Sequence, residues 1–179
     1  MKITLIKQIG EEQLASLCEL LIDSVQGGAS IGFHSPLSMK KAREYWNEVD
    51  SSLPSGRILL IAEEDSGIAG SVQLAPCLRE NGKHRGEIQK LFVLQSHRGQ
   101  GIAKKLMQSA ERHAAEIGLS LLVLDTQEGS PAQYIYQHLG WAAAGIIPGY
   151  ASSPEGTLHG TVILYNEISP VSADRKDIP

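Results

Sequence analysis

The sequence contains little cysteine, few aromatic residues and no long apolar run. Only two of its 179 residues are cysteines, Cys18 and Cys77, which are too few for a disulfide framework and match no zinc-site spacing. No apolar stretch reaches the ~18 residues that a membrane-spanning helix needs, and residues 1–7 do not resemble a signal peptide. We therefore expect two reduced thiols, no membrane association and a cytoplasmic location.

The chain also lacks an excess of basic residues. Sixteen Lys and Arg residues against 20 Asp and Glu residues give a net charge of −4. Proteins that bind nucleic acids usually have the opposite balance, so we expect no nucleic-acid partner. An anionic ligand would need a local group of basic side chains or free backbone amides. None of the six histidines has metal-site spacing, so we expect no metal.

Apolar spacing and turn residues predict one mixed domain. Helical spacing predicts four helices, at about residues 11–26, 38–49, 101–117 and 131–139. Shorter apolar runs predict seven strands, at about residues 2–7, 57–64, 68–78, 87–94, 121–124, 142–147 and 161–166. Short turns join the second, third and fourth strands, so the first half of the sheet is expected to be antiparallel. We predict an α/β (α+β) domain over residues 1–168 and a flexible tail over residues 169–179.

The segment with the most chemical information spans residues 91–103, where a predicted strand enters a Gly-containing turn that opens a helix. The first amides of a helix are unpaired and carry a partial positive charge, and glycine lets a ligand approach the backbone. Arg98, Lys104 and Lys105 add positive charge to an otherwise acidic chain. The segment therefore predicts a phosphate-binding turn.

Three phosphate-binding patterns can be compared with this turn. The P-loop pattern Gly-x-x-x-x-Gly-Lys-Ser/Thr does not occur in the chain. The dinucleotide pattern Gly-x-Gly-x-x-Gly would place Lys104 where its third glycine packs against the sheet, so it fails. The pattern Arg/Gln-x-x-Gly-x-Gly/Ala fits residues 98–103 at every position.

This last pattern resembles motif A of the GNAT superfamily of acyl-CoA-dependent N-acetyltransferases, whose loop holds the pyrophosphate of CoA. Residues 132–141 resemble a later helix of that family, in which a tyrosine, here Tyr136, is followed four residues on by Gly and an aromatic residue. The order of elements also matches over about residues 1–168. The resemblance implies the GNAT fold: a mixed central sheet of about seven strands, a splayed parallel strand pair at the cofactor site and about four flanking helices.

The resemblance implies acetyl-CoA as co-substrate, bound by one strand and the turn after it. The candidate cofactor-binding residues are Leu91, Phe92, Val93, Arg98, Gly99, Gln100, Gly101, Ile102 and Ala103. A backbone N–H of the strand, at Phe92 or Val93, could stabilise the oxyanion of the transition state. Other backbone groups there could pair with the pantetheine arm as an added strand would.

Transfer of an acetyl group to an amine needs a base, because alkylammonium groups titrate near pH ~10. The candidate catalytic carboxylates are Glu87, on the strand leading to the turn, and Asp125, at the end of the next apolar strand. In the family, the tyrosine that matches Tyr136 serves the leaving thiolate. Simpler interpretations stay open, since Glu87 could be a solvated strand residue, Asp125 a turn cap and Tyr136 a core residue.

Further segments of the sequence bear on the acceptor of the acetyl group. The chain resembles a toxin-modifying member of the family at residues 27–33, 87–91, 124–126, 129–130, 148–150 and 158–159. That resemblance implies a small-molecule amine as acceptor, such as a β-lactam amino-acid toxin. Residues 27–33 are either a plain linker or a lid over that substrate. The alternatives are a peptide or protein N-acetyltransferase, a non-catalytic CoA-binding sensor and a nucleotide-binding regulator. Since many relatives pair, a homodimer is a further expectation.

Overall fold

The computed structural model describes residues 1–65 and 67–171. Its strands are β1 (Lys2–Ile6), β2 (Ile58–Glu64), β3 (Gly67–Pro76), β4 (Arg85–Val93), β5 (Leu121–Gln127), β6 (Ala142–Ser152) and β7 (Leu158–Glu167). Its helices are α1 (Glu11–Gln26), α2 (Met39–Ser52), α3 (Ile102–Glu116) and α4 (Pro131–His138). The predicted order of elements is confirmed, whereas residues 172–179 of the predicted tail lie outside the described residues.

The strands form one mixed sheet in the order β1-β2-β3-β4-β5-β7-β6. Strands β1 to β4 are antiparallel to their neighbours, β4 and β5 are parallel, and β5, β7 and β6 are again antiparallel. The predicted α/β fold, with an antiparallel first half and one parallel pair, is therefore confirmed.

Helices cover both faces of the sheet. An apolar cluster that includes Leu17 of α1 and Trp46 of α2 packs on one face, and a second cluster that includes Leu106 of α3 and Tyr136 of α4 packs on the other. We call these the α1/α2 face and the α3/α4 face. Burial of these side chains supplies the main driving force for the three-layer arrangement.

The helix starts follow local signals, while several boundaries differ from the prediction. The hydroxyl groups of Ser38 and Ser130 accept hydrogen bonds from backbone amides of α2 and α4, as N-cap residues do. Strand β6 extends to Ser152, five residues beyond the predicted end at Ile147. Its side chains are exposed over most of its length, so no alternation of polar and apolar residues marks its extent.

Strand β4 contains a β-bulge. Ser71 pairs with Phe92 and Gln73 with Gln89, so that two residues, Lys90 and Leu91, lie opposite one residue of β3. Lys90 has φ 53°, in the left-handed region that side chains other than glycine rarely adopt. An extra residue reverses the alternation of side chains along a strand.

The bulge changes which face each part of β4 presents. Ile88 belongs to the cluster on the α3/α4 face, whereas Phe92, an even number of residues later, belongs to the cluster on the α1/α2 face. In a regular strand the two side chains would share a face. The bulge therefore lets one strand contribute to both cores.

Strands β4 and β5 pair only at their beginnings. The parallel register joins Arg85–Glu87 to Leu121–Val123, although β4 continues to Val93 and β5 to Gln127. Beyond Glu87, the edge of β4 that faces β5 therefore has no strand partner, and the predicted splayed pair is observed. We call the opening between the two strands the gap.

Strand β5 is less buried than its uninterrupted apolar run suggests. The apolar run at residues 121–124 predicts a strand buried on both faces, but only Leu122 and Leu124 are buried. Leu121 and Val123 are half-buried, because the sheet face to which they belong opens towards the gap.

Gly70 allows β3, β4 and α3 to approach closely, and its substitution tests this packing. A Cβ at Gly70 would lie 2.7 Å from the Phe92 carbonyl oxygen and 3.1 Å from Leu106. We expect Gly70→Ala to lower the free energy of unfolding by about 1–3 kcal/mol, because an overpacked core must shift. In Gly145→Ala, the control, the new Cβ meets nothing within 4 Å, and stability should change little. Chemical denaturation measures both, and equal stabilities would contradict the packing argument.

Candidate active site

The two predicted catalytic carboxylates lie at the gap. Glu87 is in register with Val123, and Asp125 follows two residues later on β5, so both acidic residues belong to the same sheet face. Their alternating neighbours Ile88 and Leu124 are buried on the α3/α4 face, so the carboxylates lie on the α1/α2 face. The structure therefore brings Glu87 and Asp125 together as the sequence analysis expects.

The surroundings of Asp125 make its carboxyl a stronger base than an ordinary aspartate. The residue as a whole is exposed, but partial desolvation of its carboxyl raises the pKa, the Glu87 carboxylate raises it further, and the Lys90 ammonium opposes both effects. A carboxylate with a raised pKa accepts a proton more readily at a given pH. The arrangement thus suits proton transfer as well as binding of a cation.

Lys90 is a charged residue at this site that the sequence analysis missed. Its ammonium donates a hydrogen bond to the Ile31 carbonyl at 2.5 Å and lies 6.0 Å from the centre of the Phe33 ring. Burial lowers its pKa, while the carboxylates of Asp125 and Glu87 oppose the shift. No sequence signal distinguishes it from a surface lysine, because its position depends on the bulge.

The loop between α1 and α2, residues 27–37, crosses the gap; we call it the bridging loop. Its Ser30 hydroxyl donates to the Ser152 carbonyl at 3.1 Å, and the Ser35 amide donates to the Pro154 carbonyl at 3.0 Å. His34 Nε2 lies 2.9 Å from Ser152 Oγ. Since the β6–β7 hairpin lies beyond β5 in the sheet, the loop passes from β4 across the gap. Of the two interpretations of residues 27–33, these contacts favour a cover.

The predicted phosphate-binding turn opens α3. Gly99 and Gly101 have φ of 77° and 76°, and a Cβ at either position would meet nothing within 4 Å. Gly101 is the N-cap of α3 and offers no side-chain cap to the first amides of the helix. The turn therefore combines uncapped amides with open space, which is what a diphosphate requires.

The end of α1 fixes this turn in place. The Gln95 amide donates to Asp23 Oδ2 at 2.9 Å, and the Gln95 side chain donates to the Asp23 backbone carbonyl at 3.2 Å. Arg98 remains exposed, with its Nε donating weakly to the Val93 carbonyl at 3.5 Å. The guanidinium is thus held beside the turn while most of it faces solvent.

The predicted cofactor residues form one continuous segment but differ in exposure. Phe92 and Ile102 are buried in the two apolar clusters and can serve a ligand only through their backbone. Leu91, Val93 and Ala103 are half-buried, and the remaining candidates are the exposed residues Arg98, Gly99, Gln100 and Gly101.

Tyr136 lies on α4 with 7% of its surface exposed and packs against Trp141, with ring centres 6.2 Å apart. Burial raises the pKa of its hydroxyl, and the Asp125 carboxylate raises it further. The side chain is therefore part of the core on the α3/α4 face, whereas Glu87 and Asp125 belong to the other face of the sheet, and the influence of Asp125 on its pKa acts without a direct contact between them.

Two further observations concern metals and membranes. In residues 1–65 and 67–171, no group of three or more His, Cys, Asp or Glu side chains is placed to hold a metal ion. No helix within that part of the chain is both long and apolar enough to cross a bilayer.

Comparison with known proteins identifies the family to which the chain belongs. Residues 16–141 match the model of the acetyltransferase (GNAT) family. The chain belongs to the GNAT family. An uncharacterised N-acetyltransferase from the hisH–hisA intergenic region of Azospirillum brasilense is 31% identical over 133 residues, covering 73% of this chain and 78% of that protein. This GNAT protein is therefore an acetyl-CoA-dependent acyltransferase.

Solved structures share the fold over nearly the whole chain. The ribosomal-protein-alanine N-acetyltransferase of Brucella melitensis superposes with a TM-score of 0.78 at 19% identity, covering 94% of this chain and all of that one (100%). The yncA protein of Salmonella typhimurium, solved with its cofactor acetyl-CoA, gives a TM-score of 0.75 at 15% identity and covers 97% and 98% of the two chains. At these identities the likeness concerns the fold.

A glycine pair at the two ends of α3 tests the phosphate-binding turn. Gly101 and Gly118 both have left-handed φ, 76° and 85°, with open space around a Cβ. Valine is strained at either position, but only at residue 101 would it also crowd a bound diphosphate. We expect Gly101→Val to raise the Kd for acetyl-CoA about tenfold or more.

The control is Gly118→Val, which should lower stability by a similar amount and leave the Kd unchanged. Isothermal titration calorimetry and thermal unfolding measure the two quantities. Full affinity in Gly101→Val, or equal loss of affinity in both variants, would contradict the assignment of the turn.

Proposed function

We propose that this GNAT enzyme transfers the acetyl group of acetyl-CoA directly to the amino group of a small molecule bound between Glu87 and Asp125. The observation that carries the proposal is the gap, in which two carboxylates of one sheet face lie beside an unpaired strand edge and under the bridging loop. An amine and an acyl donor bound side by side at the gap would be held in reacting geometry.

The residues suited to hold acetyl-CoA are the turn and the free edge of β4. The amides of residues 98–103 would bind the diphosphate, and the backbone of Leu91, Phe92 and Val93 would pair with the pantetheine arm. When bound there, acetyl-CoA supplies an activated acetyl thioester. An N–H at Phe92 or Val93 would donate to the oxygen on which negative charge develops.

The acidic residues and the tyrosine have complementary tasks in this proposal. Glu87 and Asp125 attract the ammonium form of the acceptor and accept its proton, directly or through a water molecule. The raised pKa of Asp125 supports its role as a base. The raised pKa of the Tyr136 hydroxyl keeps it protonated, so it can donate to the leaving sulfur. Because the sequence contains no nucleophile-plus-base motif such as Cys–His, direct transfer is favoured over an acyl-enzyme.

A small acceptor is favoured over a peptide or protein because the bridging loop is bonded to the β6–β7 turn on the far side of the gap. A polypeptide acceptor would need an open groove there. The resemblance of residues 27–33 and 148–150 to the tabtoxin resistance protein supports the finer proposal of a β-lactam amino-acid toxin as acceptor. These segments lie in the bridging loop and in β6.

A screen of acceptors tests the proposed function. Free-thiol release from acetyl-CoA is measured with amino acids, aminoglycosides, polyamines, β-lactam amino acids and unstructured peptides. We expect release with at least one class of small amine and little with peptides. Release only with peptides would favour the peptide alternative, whereas acetyl-CoA binding without release from any acceptor would favour a CoA-binding sensor.

Asp125→Asn tests the proposed base. A carboxylate accepts a proton only when ionised, so activity falls as the pH drops through its pKa. Because the pKa of Asp125 is raised, this acidic limb of kcat/KM should lie above the ~3.9 of an ordinary aspartate. We expect Asp125→Asn to lower kcat/KM at least about tenfold and to alter that limb.

The control for this variant is Asp65→Asn, at an exposed residue in the turn between β2 and β3. It should keep the rate and the pH profile of the original enzyme. An unchanged rate in Asp125→Asn would contradict the assignment of Asp125 as the base; a turn cap is no alternative, because Asp125 lies within β5 and pairs with Ile163.

Tyr136→Phe removes only the proposed proton donor. We expect kcat to fall by about tenfold to a hundredfold, while the Kd for acetyl-CoA changes little. Tyr134→Phe, on the same helix but exposed, is the matched control and should leave kcat unchanged. Steady-state kinetics and calorimetry give the two constants, and equal kcat values in the two variants would remove the assigned role.

The proposal also includes the bounds of the catalytic domain, its location in the cell and its oligomeric state. We propose residues 1–168 as the catalytic domain, since the sheet ends at Glu167, and a cytoplasmic location in keeping with the free thiols. A homodimer is supported by the exposed apolar residues Ile146, Ile147 and Tyr150 of the edge strand β6. Light scattering of the purified protein measures the oligomeric state.

A further inference from the structure

The gap is lined by basic as well as acidic groups. Besides Glu87 and Asp125, Lys90 of β4 contacts the bridging loop that crosses the gap, and Arg57 hydrogen-bonds Gln89, the residue before Lys90. Arg57 and both carboxylates influence the pKa of Lys90. Within the described residues, no two of these four side chains form an ion pair at 4.0 Å or less. The three ion pairs found in that part of the chain join other residues. The positive and negative groups are therefore held near one another but apart.

Arg57 is held by neutral partners. Its Nη1 donates to Gln73 Oε1 at 2.8 Å and to Gln89 Oε1 at 2.9 Å, and the fully buried Gln73 donates to the Tyr45 hydroxyl at 2.8 Å. Amide oxygens satisfy the donors of a guanidinium without neutralising its charge. Arg57 therefore keeps its positive charge next to Gln89, the residue before Lys90.

Lys90 directly follows Gln89 of this network in β4, and its ammonium uses part of its hydrogen-bonding capacity. An ammonium has three donors, and the structure gives the Ile31 carbonyl as a partner for one of them. A partly buried cation that touches no anion is costly, and its backbone adopts the left-handed φ of 53°. A residue that combines a partly buried charge with a strained backbone conformation is typical of a functional site.

We propose that Lys90 binds a carboxylate, or an equivalent anionic group, of the acceptor whose amino group lies between Glu87 and Asp125. The acceptor is then a zwitterion of the amino-acid class, whose two ends match the separated charges of the gap. This inference rests on the proposed function and deepens it, because it assigns substrate specificity to a residue outside the proposed proton transfer.

Matched acceptors test the inference in the unaltered enzyme. Thiol release is compared for L-lysine, L-lysinamide and cadaverine, and for L-alanine, L-alaninamide and ethylamine, together with any acceptor found in the screen and its carboxamide. A charge-assisted hydrogen bond predicts that the best carboxylate-bearing acceptor exceeds its uncharged counterpart about tenfold to a hundredfold in kcat/KM. Equal or better use of the amides and simple amines would overturn the inference.

Variants of Lys90 locate the effect. Lys90→Met keeps the length of the side chain without its charge, and it should raise KM for the carboxylate-bearing acceptor about tenfold or more while changing kcat/KM for the matched amide little. Lys90→Arg should retain most of the preference. The control is Lys2→Met, at an exposed residue of the edge strand β1, which two strands separate from β4.

The outcomes separate the two proposals. No thiol release from any acceptor would contradict the proposed function itself, and this inference with it. Release without a preference for carboxylates, or an equal loss for acid and amide in Lys90→Met, would contradict the inference and leave the proposed function standing. Thermal unfolding and acetyl-CoA titration show whether each variant is folded. If Lys90→Met does not fold, the comparison of acceptors with the unaltered enzyme decides the inference.

Discussion

The extra residue in β4 is the constraint on which the rest of the site depends. Because Lys90 and Leu91 share one partner on β3, the strand changes the face it presents. Ile88 then packs beneath α3 while Phe92 packs beneath α1 and α2. β4 also parts from β5 after Glu87, which leaves backbone groups free at its edge. If β4 and β5 were paired along their whole length, those backbone groups would be hydrogen-bonded to the neighbouring strand.

The two halves of the proposed site differ in their chemical groups. The proposed acetyl-CoA half consists mainly of backbone: the free edge of β4 and the amides at the start of α3, where a Cβ at Gly99 or Gly101 would meet nothing within 4 Å. The proposed acceptor half consists of side chains from separate parts of the chain. A short local motif can therefore identify the family, whereas acceptor specificity depends on residues that no single motif contains.

This division explains what the sequence could predict. Helix α1 follows from its apolar spacing, Ser38 and Ser130 are local caps, and the turn at residues 98–103 is a contiguous pattern. The bulge at Lys90 has no comparable signal, because a lysine in a strand normally indicates a solvated side chain. The contacts from Ser30 to Ser152 join residues 122 positions apart, and no local pattern could reveal them. The extension of β6 to Ser152 was not predicted, because its exposed side chains show no alternation of polar and apolar residues.

The central claim is that the parting of β4 and β5 forms the acetyl-CoA site, and a crystal structure of the complex tests it most directly. The account predicts the diphosphate within hydrogen-bonding distance of the amides at residues 98–103, with the acetyl group in the gap between Glu87 and Asp125. A cofactor bound at another face of the sheet, with the turn empty, would contradict the account.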